Sequence, residues 1–161
     1  MIDEVTRALA AHIHTRSPDL GEWVVIHSLS ASDPDPGQGR LVACLLAVDE
    51  LEHFRNSPPG ARRDGAQMSP LRLHYLFTYF GPHDEAMSRI ARLLAIFDAT
   101  PVLGRGQLPP TLADRVERIT VQLHNTTVAE RHQVWSTLGR PGRLGLFYDV
   151  DVLPGQLPPV R

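Results

Sequence analysis

The chain has 161 residues, a length that suits one domain and lets roughly 70% of the unfolded surface be buried without disulfide staples. Sixteen basic and eighteen acidic residues leave a net charge of -2, which excludes a basic field that would draw in nucleic acid or an anionic membrane. Cys44 is the only cysteine, no apolar run approaches the ~20 residues of a spanning helix, and Asp3 and Glu4 give the N-terminus the wrong sign for a signal peptide; a cytoplasmic protein is the expectation.

Ile2, Val5, Leu9 and Ile13 recur at helical spacing, with Asp3 and Glu4 favourably placed in the first turn, so a helix is expected to about His14. Residues 23–27 (WVVIH) are short, aromatic and β-branched, as a strand should be. Residues 30–39 (SASDPDPGQG) are all turn formers without an apolar anchor, which predicts a surface loop. Residues 41–48 (LVACLLAV) show no alternation, which suggests a strand covered on both faces, with Cys44 a small buried hydrophobe. A second loop is expected over residues 56–70, which hold Pro58, Pro59, Gly60, Gly65 and Pro70.

From Leu71 to Phe80 the pattern alternates, with Leu71, Leu73, Tyr75, Phe77 and Tyr79 against Arg72, His74 and Thr78; this is the clearest strand. Asp84 is positioned to cap a helix whose stripe reads Met87, Ile90, Ala91, Leu94 and Phe97, widened by Leu93 and Ile96, and Pro101 ends it. Ile119, Val121 and Leu123 alternate with polar neighbours, giving a strand with one wet face. Thr127 and Glu130 have capping-box spacing before a helix that stops at Gly139. Leu144, Leu146, Tyr148, Val150 and Val152 alternate with Gly145, Phe147, Asp149 and Asp151, forming the last strand. The order α, β, β, β, α, β, α, β predicts an α+β single domain, with a mixed, mostly antiparallel sheet packed with about three helices.

Reactive constellations are not legible. His12 and His14 project about 200° apart on a helix, and the other six histidines stand singly with no HExxH or CxxC to join them, so no metal or cofactor is expected. There is no GxSxG elbow, and the sequence Gly104-Arg105-Gly106 lacks the strand-to-helix setting of a phosphate loop. The carboxylate pairs Asp33/Asp35 and Asp149/Asp151 are expected to face solvent. What remains is interaction surface. Trp23 and Trp135 are large apolar groups, the latter at core spacing, and Phe147 lies on the otherwise polar face of the last strand; if that strand lies at an edge, its main chain could accept a neighbour's strand.

The opening MIDEVTRAL, the run LVACLLAVDELEHFRN with its SPPG loop, PLRLHYLFTYFG, TPVLG and VWSTLGRPGRLGLFYDVDVL together resemble the tail-terminator, or cap, family of contractile injection systems, first catalogued as a domain of unknown function. The most specific pieces are LHYLFTYFG, from Leu73 to Gly81, and VWSTLG, from Val134 to Gly139. The resemblance implies a non-enzymatic structural protein with a tail-terminator-like domain over residues 1–153 and an extended C-terminal tail over residues 154–161. It further implies a homohexamer ring on the end of the inner tube and the last sheath ring, fixing tail length and tying sheath to tube, with no catalytic residues, nucleic acid, membrane or small-molecule substrate. Some members carry a further C-terminal region that this sequence does not continue into. Joined to the residue-level reading, it makes Phe147, Asp149, Asp151, Leu153, Leu157 and Arg161 candidate interface residues, and the loops at 30–39 and 56–70 candidates for ordering only on the ring or tube. The competing readings are a baseplate or spike adaptor of the same machine and a small enzyme whose site is assembled from distant positions.

Overall fold

A computed structural model of the chain describes residues 1–51 and 69–155. Of the loop expected at 56–70, residues 56–68, and of the tail expected at 154–161, residues 156–161, lie outside the described residues. One six-stranded sheet organises the rest. Its elements are α1 (Ile2–Arg16), β1 (Val24–Ile26), β2 (Arg40–Glu50), β3 (Leu71–Phe80), α2 (His83–Ala99), β4 (Val102–Gly104), α3 (Pro110–Ala113), β5 (Val116–Leu123), α4 (Val128–Leu138) and β6 (Gly145–Pro154). The strand order is β1-β2-β3-β6-β5-β4. Only β1 and β2 run parallel; the other four pairings are antiparallel. The mixed α+β sheet is therefore present, with the three expected helices and one additional four-residue helical turn, α3.

Strand alternation creates two unequal cores. On one face Leu73, Tyr75, Phe77 and Tyr79 of β3 meet Leu41 and Ala43 of β2 and Tyr148, Val150 and Val152 of β6. Helix α1 lays Val5, Leu9 and Ile13 on this face, and α2 adds Ile90, Leu93 and Phe97, the spacing that an apolar helical stripe requires. Phe77 sits among rings, with centroids of Tyr75, Phe97 and Tyr148 at 5.8, 5.7 and 5.8 Å. A buried hydroxyl pair, Thr6 Oγ1 and Tyr75 Oη at 2.7 Å, pins α1 to β3. On the opposite face, among the described residues, Trp135 of α4 and Leu29 enclose Val42, Cys44, Leu76, Phe80 and Phe147 and cover one half of the sheet.

Three differences from the sequence pattern have physical causes. In α2 the buried positions are Ala86, Ile90, Leu93, Ile96 and Phe97 while Met87 is half exposed; the buried stripe is rotated by about one residue, and Pro82, not Asp84, occupies the N-cap without a side-chain hydrogen bond. In β2 only Leu41 to Cys44 are covered on both faces. A bulge between Leu45 and Ala47 carries the strand beyond the end of β1, and Ala47, Val48 and Asp49 become exposed. Strand β4 and helix α3 are three and four residues long, too short to show a period, and a Gly/Pro-rich stretch hides them. Among the described residues no helix is long and apolar enough to cross a membrane.

Candidate functional site

The last strand is not an edge. β6 lies between β3 and β5 and pairs with β3 from Gly145 to Val152 and with β5 from Tyr148 to Pro154. Its main chain is spent on those ladders, which overturns strand addition at this position. Phe147 is likewise not a free anchor: it is 7% exposed and packs with Trp135, Leu76 and Cys44. The cause is α4, whose Trp135 covers the face that the strand pattern alone leaves open. Trp23 is also buried, and its indole Nε1 donates to Ser17 Oγ at 2.9 Å. Leu153 pairs with Arg118 and is partly exposed. Leu157 and Arg161 lie outside the described residues.

Asp149 and Asp151 lie on the half of the second sheet face that no helix covers among the described residues, but neither is a free solvent charge. Arg72 grips Asp151 through two hydrogen bonds, Nε at 2.7 Å and Nη2 at 2.8 Å, the forked geometry an arginine forms with a carboxylate. The pairing holds the Arg72 guanidinium pKa above its ordinary value, chiefly through that hydrogen bond. His74 bridges Asp149 (Nδ1, 2.7 Å) and Asp49 (Nε2, 2.9 Å), and His124 Nδ1 meets the second oxygen of Asp149 at 2.9 Å. The rings of His74 and His124 meet edge to face with centroids 6.3 Å apart. This chain of contacts ties β2, β3, β6 and β5 across their width. It was invisible in the sequence because its members are separated by 25 to 79 positions, although the alternation of β3 and β6 did place each on this face.

The expected loop at 30–39 is present, extended back to residue 27 by the early end of β1, yet it is held in place within the single chain. Leu29, just ahead of the turn-forming stretch, is fully buried at a φ of 59°. From the other side Arg140 donates to the carbonyls of Leu29 (3.1 Å), Ser30 (3.1 Å) and Asp33 (2.5 Å) and to the carboxylate of Asp35 at 2.6 Å. Ser28 donates to Asp33. Asp33 and Asp35 are therefore engaged in closing the loop, which corrects the expectation that it orders only on a partner. Nothing in the local sequence around Arg140 signalled this role.

Two open features remain. β1 covers β2 only from Leu41 to Ala43, so beyond Cys44 the outer side of β2 carries no strand among the described residues. The second is a groove of about 530 Å³ between the start of α2, α4 and the entry to β6, with Trp135, Phe147 and Tyr79 in its wall and His83, Arg131, His132 and Arg143 around it. Among the described residues no cluster of three or more His, Cys, Asp or Glu side chains could hold a metal ion. Cys44 is no nucleophile: burial pushes its thiol up to about 11 from 9.0, and it donates to the carbonyl of Ser28 at 3.1 Å. A folded sample at pH 8 is expected to react with a disulfide reagent such as DTNB at least ~100-fold more slowly than the same chain in denaturant, because the raised pKa removes thiolate and burial blocks access. Equal rates would show that β2 opens readily.

A family model, the Pvc16 N-terminal domain, matches residues 4–156. The fold is similar to a cryo-EM structure of the sheath/tube terminator, in the extended state, of PVC, an extracellular contractile injection system; TM-score is 0.62 and identity 18%, over 100% of this chain and 61% of that one. It is also similar to the tube-terminating cap of the anti-feeding prophage, with TM-score 0.63 and 19% identity over 97% of this chain and 55% of that one. The chain thus spans about three fifths or less of the length of these two structures. No curated protein matches it. With the match running through every strand of the sheet and all of its helices, this chain belongs to the Pvc16 N-terminal domain family.

Proposed function

We propose that the chain is a cap subunit of a contractile injection system, closing the end of the inner tube and the sheath and thereby fixing particle length. The observation that carries this reading is the family match over residues 4–156 together with a fold similar to two tube terminators. In this reading the protein acts by shape and catalyses nothing. It assembles with itself as a ring, six-fold in keeping with the cylinder it closes, and touches tube and sheath subunits through surfaces that are not self-complementary. The main-chain edge offered to a neighbouring strand is then the outer side of β2 beyond Cys44, not β6. The tail beyond Gly155 and the candidate residues Leu157 and Arg161 supply a further contact to an adjacent subunit, and assembly takes place in the cytoplasm.

The test is deletion of this chain's gene, followed by electron microscopy of the particles. Tubes of irregular length or sheaths that fall apart are the expected result. Particles of unchanged length and integrity would reject the cap role, and localisation of the subunit beside the spike would replace it with an adaptor role.

A further inference from the structure

We infer that the groove between α2, α4 and the start of β6 is a docking site for an extended, acidic peptide segment of a partner protein, with carboxylates on its rim contacts and an apolar side chain on its floor. The floor is aromatic: Trp135, Phe147 and Tyr79 are each nearly buried yet line the groove. At its margin stand Val128, 85% exposed, and Leu144, apolar groups that a partner would cover at a gain of ~25 cal/mol per Å². The volume of about 530 Å³ lies within the ~300–1,000 Å³ of ordinary ligand sites.

The rim sets the sign. Arg131, Arg143, His83 and His132 line the groove and no carboxylate does. Among the described residues six other arginines have an acidic partner, Arg7 with Asp3, Arg72 with Asp151, Arg89 with Glu85, Arg92 with Asp19, Arg115 with Glu4 and Arg140 with Asp35, and Arg16, Arg40, Arg105 and Arg118 do not. Arg131 and Arg143 have none among the described residues. Both are nevertheless held in position. Arg131 Nε donates to Thr126 Oγ1 at 2.8 Å, and the Arg143 guanidinium stacks over Phe80 at 4.4 Å from the ring centroid, a geometry that leaves its edge free to bond a carboxylate. Of the nearby carboxylates, Glu130 accepts from the Thr127 backbone and hydroxyl and Glu85 pairs with Arg89, while Asp84, next to His83, is exposed and does not line the groove. Beyond Arg143 a smaller hollow lined by Asp35, Gly37 and Gln38 shares Gly81 and Arg143 with the groove; its carboxylate, Asp35, is already paired with Arg140, so an occupant can lie along both in extended form. An apolar centre with two oriented arginines on its rim is the arrangement of a protein interface with a charged rim.

The probe is a fluorescein-labelled hexapeptide of alternating aspartate and leucine, with the lysine–leucine hexapeptide as its counterpart. Anisotropy is measured against the purified chain at 50 mM and 500 mM salt. The aspartate peptide is expected to bind at least tenfold more tightly than the lysine peptide, the difference shrinking at high salt. Arg131→Glu, an exposed substitution on the outside of α4, is expected to weaken binding tenfold or more while circular dichroism stays unchanged; Arg143→Glu serves as the second variant. Equal affinity for both peptides, no binding up to millimolar peptide, or an unaltered affinity in Arg131→Glu would overturn the inference. So would full displacement by 10 mM inorganic phosphate, which would mark a simple anion site, or self-association abolished by Arg131→Glu, which would make the occupant a second copy. A chain that caps particles but binds no acidic peptide fails this inference alone, and one that binds the peptide but leaves particle length unchanged on deletion fails the cap reading alone.

Discussion

Replacing Phe77 with alanine is expected to lower the unfolding free energy by ~3–5 kcal/mol, enough to leave little of the stability of a domain this size. Phe77 has no exposed surface, and its ring is shared between three others contributed by β3, α2 and β6. Deleting it opens a cavity at the point where helix α2 meets the two central strands, and those strands are held by ladders on both sides and cannot close around the void. A urea titration should show the midpoint falling with little change in slope. Phe77→Leu keeps most of the apolar volume and is expected to recover about half of the loss. A wild-type midpoint for Phe77→Ala would mean that the two cores do not fold as one unit.

How much of this architecture was legible in the sequence depends on whether the signal was periodic. The alternation from Leu71 to Phe80 showed both the existence of β3 and which side chains face the larger core, because a strand's period of two leaves no freedom; that Leu76 and Phe80 enter a second core was not legible in it. The Thr127–Glu130 capping box and Gly139 marked both ends of α4: Thr127 Oγ1 accepts from the Glu130 amide at 3.2 Å and Gly139 closes the helix at a φ of 67°. What periodicity does not report is the order of strands. The last strand reads as a half-wet strand whether it lies at the rim or in the middle, and only the pairing of β6 with β3 and β5 decides it. That single ambiguity suggested an edge strand where there is none, and Phe147 looked like an exposed anchor because the helix that buries it arrives from elsewhere in the chain. Asp149 and Asp151 looked like solvent charges because their partners Arg72, His74 and His124 come from neighbouring strands. The groove and the arginine clamp on the loop are likewise products of tertiary approach, with no local pattern to announce them.

Arg140→Ala is expected to cost ~2–4 kcal/mol, most of it felt locally in residues 28–35, because one side chain there donates to three loop carbonyls and a carboxylate. Gly139 makes the clamp possible. Its left-handed turn lets the Arg140 amide donate to the Trp135 carbonyl at 3.3 Å, a helix ending that turns the following side chain back across the surface. A Cβ at Gly139 would sit 2.9 Å from Ala31 Cβ, so the helix end and the loop touch directly. The Arg140 side chain, only 15% exposed, then reaches three carbonyls and Asp35 at once. Lysine cannot do so, since its ammonium is a single point and not a planar fork; Arg140→Lys is expected to retain less than about half of the stabilisation. Hydrogen exchange separates a local role from a global one. In Arg140→Ala the amides of Leu29 to Asp33 should lose protection while those of β3 and β6 keep theirs. Unchanged exchange across the loop would show that Leu29, buried beneath it, suffices to hold it, and that the loop's position beside the open side of β2 owes nothing to Arg140.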